Sequence, residues 1–388
     1  MAQPNPAKRP SQGQSPPAKR RKFHQAPSGL VTKYTSPTDD IHKLLRNYPN
    51  KSGITPLDGG SFTTFEELDE WTALEKAFHI YEVRSAKKDD HYNDFPPSFT
   101  SKFESLGDER IQDMNNGSVS LQVLSHAPLD ASPSACSDIN NELALAISKI
   151  SDRLAGFATL PMEDPKAAAE ELSRCVTKLG FLGALINNHL NGQFYDNERF
   201  WPVFEKAQEL DVPIYIHPTY PSESMLEPYK GNYDDRIASQ LSAYGWGWHS
   251  DTGLHILRLF ASGFFERFPK IKIIIGHMGE LLPFQLDRIA RTSQMWGGKK
   301  RDLMEVWKCN IWITTSGMFS LAPLACLLQT TTIDHVMYSV DYPFSSNEKG
   351  KSFIEEIQKS GLMSAEDLEK FAYRNAETLL RVKAKTLK

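Results

Sequence analysis

Four polar residues stand in or at the ends of short apolar, β-branched runs, and together their types can hold a divalent cation. His217 closes Val212-Pro-Ile-Tyr-Ile-His217, His277 follows Ile273-Ile-Ile-Gly276, Asp341 ends Tyr338-Ser-Val-Asp341, and Glu75 interrupts Ala73-Leu-Glu75-Lys-Ala-Phe78. Singly, a strand-end histidine is a structural residue and an Asp before Tyr-Pro is a turn or cap. Gathered at one end of a fold, they would repel and desolvate one another unless a positive charge neutralised them. One divalent cation does so with few atoms. Two carboxylates with one or two imidazoles make a mixed oxygen and nitrogen set that suits Zn, Mn or Mg. Such a cation polarises a substrate oxygen or activates a water.

The elements that must position these residues follow from hydrophobic periodicity. Eight runs read as strands, at 71–78, 120–125, 154–161, 181–187, 212–217, 271–276, 311–315 and 336–341. Between them lie helical patterns at 138–149, 164–179, 200–210 and 252–268, and a last one at 364–382. Asp164 before Pro165 is an N-cap, and Ser364-Ala-Glu-Asp367 has the form of a capping box. Eight strands alternating with helices predict an α/β fold, a closed (β/α)8 TIM barrel, whose chemistry sits at the carboxyl ends of the strands. No glycine-rich phosphate loop is present, so no organic cofactor is expected beside the metal.

Composition bounds the partners. The chain has 388 residues, 40% hydrophobic and 24% charged, enough for a large soluble core. Its 48 acidic and 44 basic residues leave a net charge of −4, which gives no reason to expect nucleic acid. Cys136, Cys175, Cys309 and Cys326 are widely spaced, and are expected as reduced core thiols of a cytoplasmic protein. No apolar stretch reaches membrane-spanning length, so no membrane partner is expected. Residues 1–65, rich in Pro, Ser, Gln, Lys and Arg, are expected to be a disordered extension, leaving 66–388 as the catalytic barrel. Within the extension, Pro16-Pro-Ala-Lys-Arg-Arg-Lys22 has the composition of a nuclear-import signal or of a solvated charge run.

Six ordered stretches carry a resemblance: Ala73-Leu-Glu-Lys-Ala-Phe78, Leu154-Ala-Gly-Phe-Ala-Thr-Leu-Pro161, Leu179-Gly-Phe-Leu-Gly-Ala-Leu-Ile-Asn187, Asp211-Val-Pro-Ile-Tyr-Ile-His-Pro218, Gly276-His-Met-Gly-Glu280 with Arg288 beyond it, and Tyr338-Ser-Val-Asp-Tyr-Pro-Phe344. From about Trp71 onward the chain resembles the decarboxylase branch of the amidohydrolase superfamily, in particular 2,3-dihydroxybenzoate and γ-resorcylate decarboxylases. The resemblance implies Glu75, His217 and Asp341 as metal ligands, with Asp341, His277 and Glu280 as the proton-handling groups. It also implies Asn187 and Arg288 as substrate-binding residues, an aromatic carboxylic acid as substrate, and a homodimer or homotetramer.

Two departures matter. Glu75-Lys-Ala77 stands where γ-resorcylate decarboxylases have Glu-x-His, so one imidazole ligand is missing and Mg or Mn is favoured over Zn. Pro218-Thr219-Tyr220-Pro221 replaces a common Arg-Asn-Pro, which implies an altered substrate pocket. The competing readings are a metal-dependent hydrolase or lactonase of the same superfamily, and a non-catalytic nuclear adaptor. The segment from Tyr244 to His249, with three aromatic rings, is expected at a subunit contact, over the mouth of the site, or as a glycine-jointed loop.

Overall fold

The computed structural model describes residues 78–83, 102–103, 105–126, 130–297 and 300–385, the first of these as backbone. Glu75, Ala77 and the extension 1–65 with its basic run lie outside the described residues. Eight strands follow one another in chain order: β1 (Phe78–Val83), β2 (Leu121–His126), β3 (Leu154–Gly156), β4 (Ala184–Asn187), β5 (Ile214–His217), β6 (Ile273–Ile275), β7 (Ile311–Thr314) and β8 (Val336–Met337). Every paired neighbour is parallel, in a β1-β2-β3 ladder and a β4-β5-β6-β7-β8 ladder. A parallel bridge between Ala158 and Ala184 joins the two.

Helices fill the connections: α1 (Asp108–Asn116), α2 (Pro133–Lys149), α3 (Pro165–Lys178), α4 (Trp201–Leu210), α5 (Asp235–Ser242), α6 (Gly247–Ser262), α7 (Leu282–Ser293), α8 (Leu303–Asn310), α9 (Leu321–Thr330) and α10 (Asn347–Ser360). The fold is the expected (β/α)8 barrel. Its parallel strands are apolar on both faces because helices cover the outside and side chains fill the lumen. Ile273, Ile274 and Ile275 of β6 are accordingly all buried.

The helix starts follow local chemistry. Asp164 accepts from the backbone N–H groups of Lys166 and Ala167, and Ser364 accepts from Asp367. The expected helix at 252–268 is instead two, because Gly263 takes a left-handed φ of 85° and ends α6 before the short helix Phe264–Arg267. The first strand extends beyond the expected run. Of the expected run 71–78 only Phe78 lies among the described residues, and the described ladder carries on past that run to Val83, through Phe-His-Ile-Tyr-Glu-Val, which is rich in β-formers. Among the cysteines, Cys136 and Cys175 are buried thiols as expected, whereas Cys309 in the last turn of α8 is exposed.

Candidate active site

The ends of β4, β5, β6 and β7 and the segment after β8 carry the polar groups. His217, half-buried, ends β5 and pairs in register with Asn187 at the end of β4. Its Nδ1 lies 2.6 Å from the carbonyl oxygen of Pro218. A carbonyl only accepts, so Nδ1 carries a proton, and in the neutral ring Nε2 is then the nitrogen with the lone pair, the arrangement a metal-ligating histidine needs. Asn187 donates from Nδ2 to Asp130 Oδ1 at 3.2 Å, and its buried Oδ1 has no hydrogen-bond partner among the described residues.

After β6 the chain turns the wrong way. Residues 277–281 all have positive φ: His277 45°, Met278 57°, Gly279 92°, Glu280 52° and Leu281 65°. A left-handed turn costs an L-residue roughly 1–2 kcal/mol, so four non-glycine residues in succession need outside support. Part of it comes from Gly276, where a Cβ would stand 2.7 Å from Ser316 Oγ, 2.8 Å from the Tyr215 hydroxyl and 3.3 Å from Glu280 Oε1. Only a glycine lets the turn settle so deeply against β5 and β7.

The turn places Glu280 wholly inside, with each oxygen taken by one imidazole. His277 Nδ1 lies 2.7 Å from Oε1 and His249 Nδ1 lies 2.7 Å from Oε2. The two rings meet edge to face, 4.6 Å apart. Burial alone would push the Glu280 carboxyl up. The charge on His277 and the hydrogen bonds from both imidazoles outweigh that and hold it at about 2. Ligand atoms of His249, His277 and Glu280 lie within 4.8 Å of one another, close enough to share a cation, although both short contacts here are N–H···O bonds.

Asp341 follows β8 with a left-handed φ of 62°. The β7–β8 ladder is only two residue pairs long, and hydroxyls continue it: Ser316 N donates to Ser339 Oγ, and Ser339 N donates to Thr315 Oγ1. A Cβ on Gly317 would lie 3.3 Å from Asp341 Cβ, so the end of β7 packs directly against Asp341. Tyr215 links the two sides, its hydroxyl bonded to Thr314 Oγ1 and Ser316 Oγ. Burial first, then the negative charges of Glu280 and Asp341, push that hydroxyl far above its ordinary value. Beyond the cis bond Tyr342–Pro343, the buried Arg110 guanidinium lies 4.9 Å from the Tyr342 ring centroid.

The structure thus clusters His277 and Glu280 directly, and ties them to Asp341 through Tyr215, Ser316 and Gly317. Asn187 stands beside His217. Arg288 lies on the exposed face of α7, one turn after Phe284. Sequence reasoning missed His249, Tyr215 and Ser316. His249 belongs to the aromatic segment singled out earlier, but its contact with Glu280 joins α6 to the segment after β6, and no spacing in the sequence encodes that. Of that segment, Trp248 packs edge-on to Tyr220 at 5.1 Å just beyond His217, while Tyr244 and Trp246 are exposed.

A parallel barrel with histidines and carboxylates at its strand ends is the architecture of metal-assisted enzymes. The amidohydrolase family model matches residues 77–382, and the chain belongs to that family. It is 52% identical over 296 residues to the decarboxylase orsB of Emericella nidulans, covering 74% of this chain and 89% of that protein. It is 32% identical over 306 residues to a γ-resorcylate decarboxylase of Polaromonas, covering 74% of this chain and 90% of that one. A crystal structure of 5-carboxyvanillate decarboxylase from Novosphingobium aromaticivorans, with manganese and 4-hydroxy-3-methoxy-5-nitrobenzoic acid, superposes with a TM-score of 0.72 at 27% identity. That likeness covers 79% of this chain and 96% of the other.

Proposed function

We propose that this protein is a carboxy-lyase that removes carbon dioxide, without an oxidant, from an aromatic acid bearing a hydroxyl ortho to its carboxylate. The observation that carries this reading is the buried His277–Glu280 pair set beside Tyr215, Ser316 and Asp341 at the strand ends, in a chain whose relatives are decarboxylases. Glu75, His217 and Asp341 would hold one divalent metal. The lone pair on His217 Nε2 and the carboxylate of Asp341 fit that role, and the manganese in the 5-carboxyvanillate decarboxylase supports an ion of that kind. When bound, the metal supplies a Lewis-acid point that favours the ionised phenol and fixes the carboxylate.

Direct loss of CO2 would leave an aryl carbanion, so the ring carbon has to be protonated first. Asp341 delivers that proton, and His277, oriented by Glu280, resets it. Asn187, in register with His217, offers its buried Oδ1 to a substrate hydroxyl. Tyr220 against Trp248 forms an aromatic wall beyond His217 that suits a flat ring. The unpaired cysteines agree with a reducing cytoplasm. Residues 66–388 suffice for turnover, so removing 1–65 leaves it intact. Exposed apolar side chains on α6 and α7 support assembly into a homo-oligomer.

The test is carbon dioxide release from a panel of hydroxybenzoates by purified, metal-analysed protein. Turnover of an ortho-hydroxy acid is expected, abolished by a chelator and restored by manganese. No release from any of them would overturn the reading. The rival is a hydrolase in which His249, His277 and Glu280 hold a second cation that activates water. It requires two metals per chain, against one for the decarboxylase.

A further inference from the structure

His249 is not part of the machinery set out above, yet it takes the second oxygen of the carboxylate that is bonded to His277. α6 meets the left-handed turn at this contact and at another. The other comes four residues later, on the same helix face, where Gly253 sits so close under the turn that a Cβ there would lie 2.7 Å from the carbonyl oxygen of Glu280. One face of α6 therefore grips Glu280 at both ends, the side-chain carboxylate by His249 and the backbone carbonyl by the approach at Gly253.

The hydrogen bonds fix the arrangement further. An ionised carboxylate only accepts, so both Nδ1 atoms carry protons, and neither oxygen of Glu280 can rotate away from its imidazole without losing a bond. With Oε2 released, the carboxylate could turn about its last torsion, and the His277 ring would lose its fixed partner. The edge-to-face packing of the two rings, 4.6 Å apart, adds a second restraint on His277 from the same residue.

We propose that His249 is a positioning residue of this site: by clamping the second oxygen of Glu280 and packing against the His277 ring, it fixes the orientation of His277. This rests on the reading above that His277 and Glu280 serve the proton transfer. In this role His249 acts through these two neighbours.

The test uses the full chain loaded with metal. His249→Ala is expected to lower kcat by about 10- to 100-fold with KM changed by no more than about twofold, the size of loss seen when a supporting partner of a catalytic group is removed. His249→Phe, which keeps a ring without the donor, loses a similar amount and serves if the alanine variant does not fold. His249→Asn, whose amide N–H occupies nearly the place of Nδ1–H, retains most of kcat. In a Glu280→Gln background, His249→Ala adds no further loss, because the two act as one unit. Unchanged kcat in both the alanine and phenylalanine variants, or an undiminished loss in the glutamine background, would overturn the proposal.

A second readout needs no turnover. In spectra of protein carrying 15N-labelled histidine, the downfield Nδ1–H signal of His277 shifts in His249→Phe and returns toward its original position in His249→Asn. If the parent chain decarboxylates nothing, the functional reading fails and this signal alone decides the role of His249. A signal that stays in place overturns it.

Discussion

Asp341 and His277 differ from most strand-end polar residues in what surrounds them. Asp341 is held in a left-handed conformation against Gly317, which costs a residue without glycine's freedom. Such a cost is tolerated where the side chain must point one way. Asp341→Asn keeps shape and volume but cannot bind or release a proton, so kcat should fall by about 100-fold or more, with only a small change in thermal stability. An unchanged kcat would remove Asp341 from the proton path.

Two histidines outside the site make a different prediction. The backbone N–H of Gly192 donates to His189 Nδ1, and that of Tyr195 donates to His255 Nε2, so both rings are neutral acceptors at those atoms. His255 then donates from Nδ1 to Asn188 Oδ1. Burial, the first cause for each, holds His189 down at about 4 and His255 down at about 3. Their folded values lie below the unfolded value of roughly 6.5, so the unfolded chain binds more protons as the pH falls. The stability they allow is whole above about 6.5 and is lost as pH drops toward 4, at up to roughly 1.4 kcal/mol per pH unit for each. Urea midpoints measured from pH 7 to pH 5 should fall steeply, before ordinary carboxylates titrate, and His255→Asn should reduce the slope. A flat profile over that range would refute the account.

The turn after β6 marks where legibility in the sequence stops. That His277 and Glu280 act together was legible only through the family resemblance. The hand of that turn was not legible. Met278, Glu280 and Leu281 have no local preference for positive φ, which is imposed by the packing of Gly276 between Tyr215 and Ser316 and by the grip of α6. The strand after α9 tells the same story. Its run reads as continuous to Asp341, but its regular ladder stops at Met337, and beyond it backbone bonds from Thr315 and Gly317 are interleaved with bonds to the hydroxyls of Thr315 and Ser339. Periodicity reported where the chain is apolar, and side-chain hydrogen bonds enter the pairing where the regular ladder ends. Gly276→Ala tests the packing claim. Its methyl group would meet two hydroxyl oxygens at under 3 Å, so unfolding free energy should drop by about 1–3 kcal/mol, read as a lower urea midpoint. A neutral substitution would mean that the turn does not depend on this close approach.

The barrel as a whole was readable because alternating strands and helices leave a repeated signature, yet its outer surface was not. Phe284 and Met295 fit an apolar helical pattern as well as Leu282 and Leu286 do, but they are 81% and 79% exposed while those two are buried. Leu281 and Trp296 lie exposed in the same stretch, and Trp296 packs on the buried Phe260 of α6. Leu254 of α6 is exposed as well. Exposed apolar side chains of this kind are the proposed association surface. Fully burying one phenylalanine gains roughly 1.5–3 kcal/mol, and a symmetric contact counts each residue twice. Phe284→Glu should therefore raise the dissociation concentration of the assembly at least about tenfold, with unfolding of each subunit nearly unaffected because the side chain packs on nothing within its own chain's core. Light scattering across a dilution series decides the matter. The parent chain should stay an oligomer to lower concentration than the variant, and a parent that is monomeric at every concentration would leave this face without a partner of its own kind.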